Sequence, residues 1–146
     1  MIPEFITLSG SPWPLLPPGI YDSTLEEIEA RYVITQRRRE LFDGLISGLE
    51  NLFLSGCPQV FLDGSYVTAK PFPGDYEVCW DITSVNANLL DPVFLVFDNE
   101  RHSQKQKYLG EYFPATIIEG SSGKPFLDFF QKDKHTGKSK GIIRLI

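Results

Sequence analysis

The chain concentrates acids and glycine in one stretch, FLDGSYVTAKPFPGDYEVCWD, over residues 61–81. Asp75 and Glu77 stand two apart where an apolar run resumes. Alternate residues of a strand share a face, so both carboxylates point one way while Tyr76, Val78 and Trp80 point the other. Such a pair suits Mg²⁺, which takes oxygen ligands and keeps water or substrate phosphate as its remaining partners. Gly64-Ser65 precedes the acids across a loop that holds Lys70, Pro71, Pro73 and Gly74. If Gly64-Ser65 opens a helical turn, its free N–H groups would face phosphate, and glycine would let the phosphate come close. Lys70 is a candidate phosphate contact, and Asp63 a candidate cap for the turn that follows it. Together these groups are equipped for metal-assisted phosphoryl or nucleotidyl transfer.

The elements that must position these groups can be read from periodicity. VFLDG reads as a short strand and YEVCW as a second. Upstream, Leu41, Leu45, Leu49 and Leu52 recur at three- and four-residue steps, with Glu40, Asp43, Ser47 and Glu50 on the other side. This is a helix, capped by Thr35 and stopped at Gly56. Ser23-x-x-Glu26 fits a capping box that opens a shorter helix through about Tyr32. Leu89-Leu90 closes a brief turn, VFLVF reads as a third apolar strand, and Arg101 to Tyr108 as a polar helix. FPATIIEG and GIIRLI read as further strands, with a short helix PFLDFFQ between them. Residues 1–20 hold five of the eleven prolines, which rules out a helix there and predicts an extended arm. Strands interspersed with helices predict an α/β (α+β) fold: a small mixed sheet flanked by helices, in one domain over 1–146 with 1–20 as its arm.

Composition narrows the function classes. With 146 residues and 42% hydrophobic residues, the chain can bury a core without staples. A net charge of −5 argues against an all-over nucleic-acid footprint. No apolar run approaches a membrane span, and the N-terminus lacks the pattern of a signal peptide, so a cytoplasmic protein without a membrane partner is expected. Cys57 and Cys79 form no CxxC or Cys/His cluster and read as buried free thiols. His102 and His135 are too isolated for a zinc site. HTGKSKG lacks the first glycine of a phosphate loop and reads instead as a turn into GIIRLI. Lys105, Lys107 and Arg37-Arg38-Arg39 read as solvated surface charge.

Gly-Ser, a spacer and acid-x-acid on a strand resemble the signature of the polymerase-β-like nucleotidyltransferases. A longer likeness runs through MIPEF, LPPGIY, RRRELFDGL, LLDPVFLVFD, QKQKYLGEYFPA, FLDFFQ and KGIIRLI. Together these resemble a bacterial family of small nucleotidyltransferase-like proteins, similar to toxin–antitoxin components and able to be encoded beside a helix-turn-helix regulator. The resemblance implies a nucleotidyltransferase-like fold, with NTP phosphates held by Gly64, Ser65 and Lys70 and Mg²⁺ held by Asp75 and Glu77. It implies transfer of a nucleoside monophosphate to an RNA or protein acceptor, and a cognate antitoxin or helix-turn-helix regulator as partner.

The resembled pattern also calls for a third carboxylate from a neighbouring strand. Asp98, closing VFLVFD, is the candidate; Asp81 shares the face of Asp75 but lies about 20 Å away along an extended strand. Glu77 departs from the pattern, which more often has Asp there, and reaches one methylene further. The alternative reading is a catalytically inactive domain of this fold that binds a protein partner, with the arm around Trp13 as its docking element.

Overall fold

The computed structural model describes residues 1–146. Its centre is a five-stranded mixed sheet in the order β1-β5-β2-β3-β4. The strands are β1 (Gly19–Ser23), β2 (Val60–Asp63), β3 (Tyr76–Trp80), β4 (Gly110–Pro114) and β5 (Gly141–Leu145). β2 runs antiparallel to both β3 and β5, whereas β1 pairs with β5 and β4 with β3 in parallel. The helices are α1 (Leu25–Tyr32), α2 (Gln36–Leu54), α3 (His102–Tyr108) and α4 (Phe126–Phe129). No helix is long and apolar enough to cross a membrane.

Strand alternation divides the side chains into two layers. One face carries Val60, Leu62, Tyr76, Val78, Trp80, Tyr112 and Ile143 into the main core, where Ile28 of α1 and Leu41, Leu45, Leu49 and Leu52 of α2 meet them. Burying each leucine contributes roughly 1.5–3 kcal/mol, so this leucine seam is the main anchor of α2. Gly48 is needed where α2 crosses the sheet, because a Cβ there would overlap the Tyr112 hydroxyl. The opposite face carries Phe61, Cys79, Phe113 and Ile142, covered by Phe130 just beyond α4. Beside this smaller core the same face turns acidic. Cys57 and Cys79 are both buried and unpaired.

Caps explain where the helices start. Thr35 accepts the Arg38 N–H at 3.1 Å, as its place before α2 predicts. The shorter helix is capped by Thr24 rather than Ser23: the Thr24 hydroxyl accepts the Glu27 N–H, and Ser23 instead closes β1. Gly56 adopts φ +90 just past the C-cap of α2.

Two expectations need correction. VFLVF is not a strand, because Pro92 opens a 3₁₀ turn over Pro92–Leu95 and the Asp91 carboxylate accepts the Val93 N–H. Phe94 anchors that turn in the core, while Leu95 and Phe97 stay exposed. In FPATIIEG the strand ends at Pro114, and the rest is a turn held by the Phe126 N–H donating to Ile117 O at 2.9 Å. The arm packs on the domain through Leu15 and Leu16, both 1% exposed, and its last residues enter β1 at Gly19. An Ile6–Leu15 bridge folds the arm on itself, and the Ala69 N–H donates to Pro14 O at 2.9 Å, tying it to the loop after β2.

Candidate metal and nucleotide site

The acidic face begins with strand register. Glu77 on β3 lies opposite Asp63 on antiparallel β2 and opposite Glu111 on parallel β4, so three acids form one row across three strands. Asp75, just before β3, points to the same side. Asp75, Glu77 and Glu111 each place a carboxylate oxygen within 4.8 Å of the others. Oxygens around an octahedral Mg²⁺ stand about 3–4 Å apart, given bonds of 2.0–2.1 Å, so small side-chain rotations would close the set.

The acids repel one another and lie in a partly dry pocket. Burial, then the charges of Glu77 and Asp75, push the Glu111 carboxyl up to about 7. Burial also raises Glu77 above the usual carboxylate range. Asp63 is wholly buried, and neither of its oxygens meets an N–H or hydroxyl donor. Burial first, then the neighbouring Glu77, hold its carboxyl far above the ordinary range, which favours the neutral form opposite Glu77. It does not cap the following turn. Lys105 of α3 supplies the compensating charge: its Nζ lies 3.6 Å from Asp75 Oδ2 and 3.7 Å from Glu111 Oε1.

Gly64 closes the other side of this acidic row. Its φ of +79 is a left-handed conformation that suits glycine, and a Cβ there would come within 2.9 Å of the Glu77 carboxyl. Any side chain at 64 would therefore press on the acid. Only one 3₁₀ turn, Ser65–Val67, follows Gly64, so the loop offers close approach rather than a helix dipole. Arg38 fixes the loop from behind. Buried to 1% exposure, it donates to the carbonyls of Tyr66 (2.8 Å), Thr68 (3.0 Å), Lys70 (2.6 Å) and Tyr32 (3.4 Å).

A cavity of about 750 Å³ joins these parts. Gly64, Ser65, Lys70, Asp75, Glu77 and Glu111 all line it, and so do Lys124, Lys132, Lys134 and Lys140 from the segment that covers this face. Acids on the sheet and ammonium groups on the cover give the cavity two walls of opposite charge. Its volume lies within the range usual for small-ligand sites.

Of the residues the sequence singled out, Gly64, Ser65, Lys70, Asp75 and Glu77 thus share one cavity. Asp98 lies elsewhere, caging the start of α3: its carboxylate accepts the Ser103 hydroxyl at 2.6 Å and the Ser103 N–H at 3.3 Å. That hydroxyl, more than any other neighbour, lowers the Asp98 carboxyl below its usual value. Glu111 stands in the third place, and Lys105 is an ion-pair partner of the acids rather than free surface charge. The alternation in GEYFP, with Glu111 polar between Gly110 and Tyr112, was the available signal for Glu111.

No curated protein and no solved structure matches the chain. Residues 10–146 match the profile of a family of unknown function, DUF6932, and the chain belongs to that family.

Proposed function

We propose that the protein is a Mg²⁺-dependent nucleotidyltransferase that moves a nucleoside monophosphate from an NTP to a hydroxyl acceptor. The observation that carries this reading is the convergence of Asp75, Glu77 and Glu111 beside Gly64, in one cavity whose far wall is basic. The donor set fits the ion: three carboxylates, all oxygen ligands, backed by a glycine that a Cβ would convert into an obstruction. Asp75, Glu77 and Glu111 would hold Mg²⁺, which when bound neutralises phosphate charge.

The chain's own residues then divide the work. Gly64 and Ser65 let the triphosphate approach the acids, and Lys70 adds positive charge at the cavity edge. In the transfer the acceptor oxygen bonds to the α-phosphorus as the bond from that phosphorus to the bridging oxygen breaks, releasing pyrophosphate. The proton leaves the acceptor hydroxyl for a carboxylate oxygen, and Glu111, beside Asp75 and Glu77, is placed to take it. RNA ends and protein hydroxyls both satisfy this chemistry. A toxin–antitoxin or defence setting, with a cognate antitoxin or helix-turn-helix regulator as partner, is supported by the likeness in sequence.

The test is to incubate the protein with each labelled NTP, Mg²⁺ or Mn²⁺, and RNA or protein acceptors. Transfer that requires metal and disappears in Asp75→Ala is expected. Transfer unchanged in Asp75→Ala would remove the metal site from the mechanism.

A further inference from the structure

The proline-rich arm contributes one aromatic ring to the cavity. Trp13 is half-buried and lines it together with Gly64 and the acids. The backbone at Trp13 is held by the chain around it: the Ser11 hydroxyl donates to Trp13 O, the Ile6–Leu15 bridge flanks it, and Pro14 O holds the Ala69 N–H. Lys70 Nζ sits 5.0 Å from the ring centroid, and His135 meets the ring edge-on at 6.3 Å. A half-buried tryptophan on a polar cavity wall, with a cation beside it, is a platform for a planar π-system.

The basic wall points to the rest of the same ligand. Lys124 and Lys132 both belong to the segment that covers the acidic face, and neither has a carboxylate partner within ion-pair distance. Ammonium groups without a carboxylate partner on a cavity wall favour an anionic ligand. Both line the cavity that Trp13 lines. A ligand with an aromatic ring at one end and several negative charges at the other satisfies both walls.

We propose that Trp13 is the stacking platform for the base of the bound nucleotide, and that Lys124 and Lys132 receive negative charge from its phosphate chain. This deepens the nucleotidyltransferase reading and rests on it for the identity of the ligand. It gives the arm a direct role in substrate binding.

The test uses the full chain, with NTPs and inorganic tripolyphosphate as probes, each with and without Mn²⁺. NTP should quench the emission of Trp13 while tripolyphosphate does not; Trp80, buried to 1% exposure, serves as the constant signal. By calorimetry, Trp13→Leu should weaken NTP binding about tenfold and leave tripolyphosphate affinity unchanged, whereas Trp13→Phe keeps most of the affinity. Lys124→Ala/Lys132→Ala should weaken both probes. NTP affinity indifferent to Trp13→Leu, equal loss for both probes in that variant, or no NTP binding by a protein that still binds Mn²⁺ would each overturn the platform. NTP binding that depends on Trp13 in a protein with no Mn²⁺ site would keep the platform and overturn the metal reading.

Discussion

Glu111 on β4 faces Glu77 on β3 directly, in the parallel register that also pairs Tyr76 with Gly110 and Val78 with Tyr112. Like charges opposed across strands destabilise a sheet, so the pairing calls for a cation. Lys105 supplies one charge; a divalent ion would supply two.

Replacing Glu111 separates this site from the one Asp98 would have completed. Glu111→Gln should weaken Mn²⁺ binding at least tenfold, as should Asp75→Asn. Asp98→Asn should leave Mn²⁺ binding unchanged and only loosen the start of α3, where the Ser103 bonds end. Titration of Mn²⁺ followed by electron paramagnetic resonance checks all three.

The raised acids make stability depend on pH in a defined direction. The folded Glu111 carboxyl titrates near 7, above its ordinary 4.5, so between those values the metal-free folded chain keeps a proton that the unfolded chain has released. Stability is then greatest below that window and falls as pH rises through about 7. Asp63 and Glu77, also raised, act in the same sense. Urea midpoints should drop between pH 5 and pH 8. Asp63→Asn and Glu111→Gln should each flatten that drop, and Asp63→Asn should raise stability at pH 8, because the folded chain no longer keeps a proton that the unfolded chain releases.

Gly64→Ala tests the close approach. The new methyl would sit in a left-handed conformation and against the Glu77 carboxyl, costing about 1–2 kcal/mol in backbone strain. Displacement of Glu77 should also weaken Mn²⁺ binding severalfold, whereas Gly74→Ala, with open space around it, should do neither. Thermal melts with and without Mn²⁺ read both effects.

Arg38→Met removes the donors behind the loop. Carbonyls of Tyr66 and Thr68 would lose bonds of 2.8 and 3.0 Å in the interior, a loss of roughly 3 kcal/mol. Arg38→Lys should recover part of the stability but only a fraction of NTP affinity, because one ammonium cannot span the carbonyls that the planar guanidinium bridges. Chemical denaturation and NTP calorimetry on the pair resolve the two roles.

The regular elements were legible wherever local chemistry decides them. The leucine spacing and Thr35 mark α2, and the alternation in YEVCW marks β3 residue for residue. The partnership of Asp75 and Glu77 followed from that alternation alone. For Glu111 the alternation in GEYFP marks a polar strand position, but its place beside Glu77 depends on which strand lies next to β3, a long-range pairing that no local pattern encodes. VFLVF misled for a related reason. Its apolar content suits a strand, but one proline and one aspartate at its start set the backbone. Arg38 and Lys105 looked like surface charge because their partners, backbone carbonyls and distant acids, leave no trace in nearby sequence.

The parallel pairing of β3 with β4 has a kinetic consequence. Parallel neighbours cannot be joined by a tight hairpin, so the chain must close a long excursion through α3 before Glu111 reaches Glu77. Divalent-ion capture should therefore be a late event in refolding, after the β2–β3 hairpin and α2 have docked. An ion that binds only the finished arrangement would slow unfolding more than it speeds refolding.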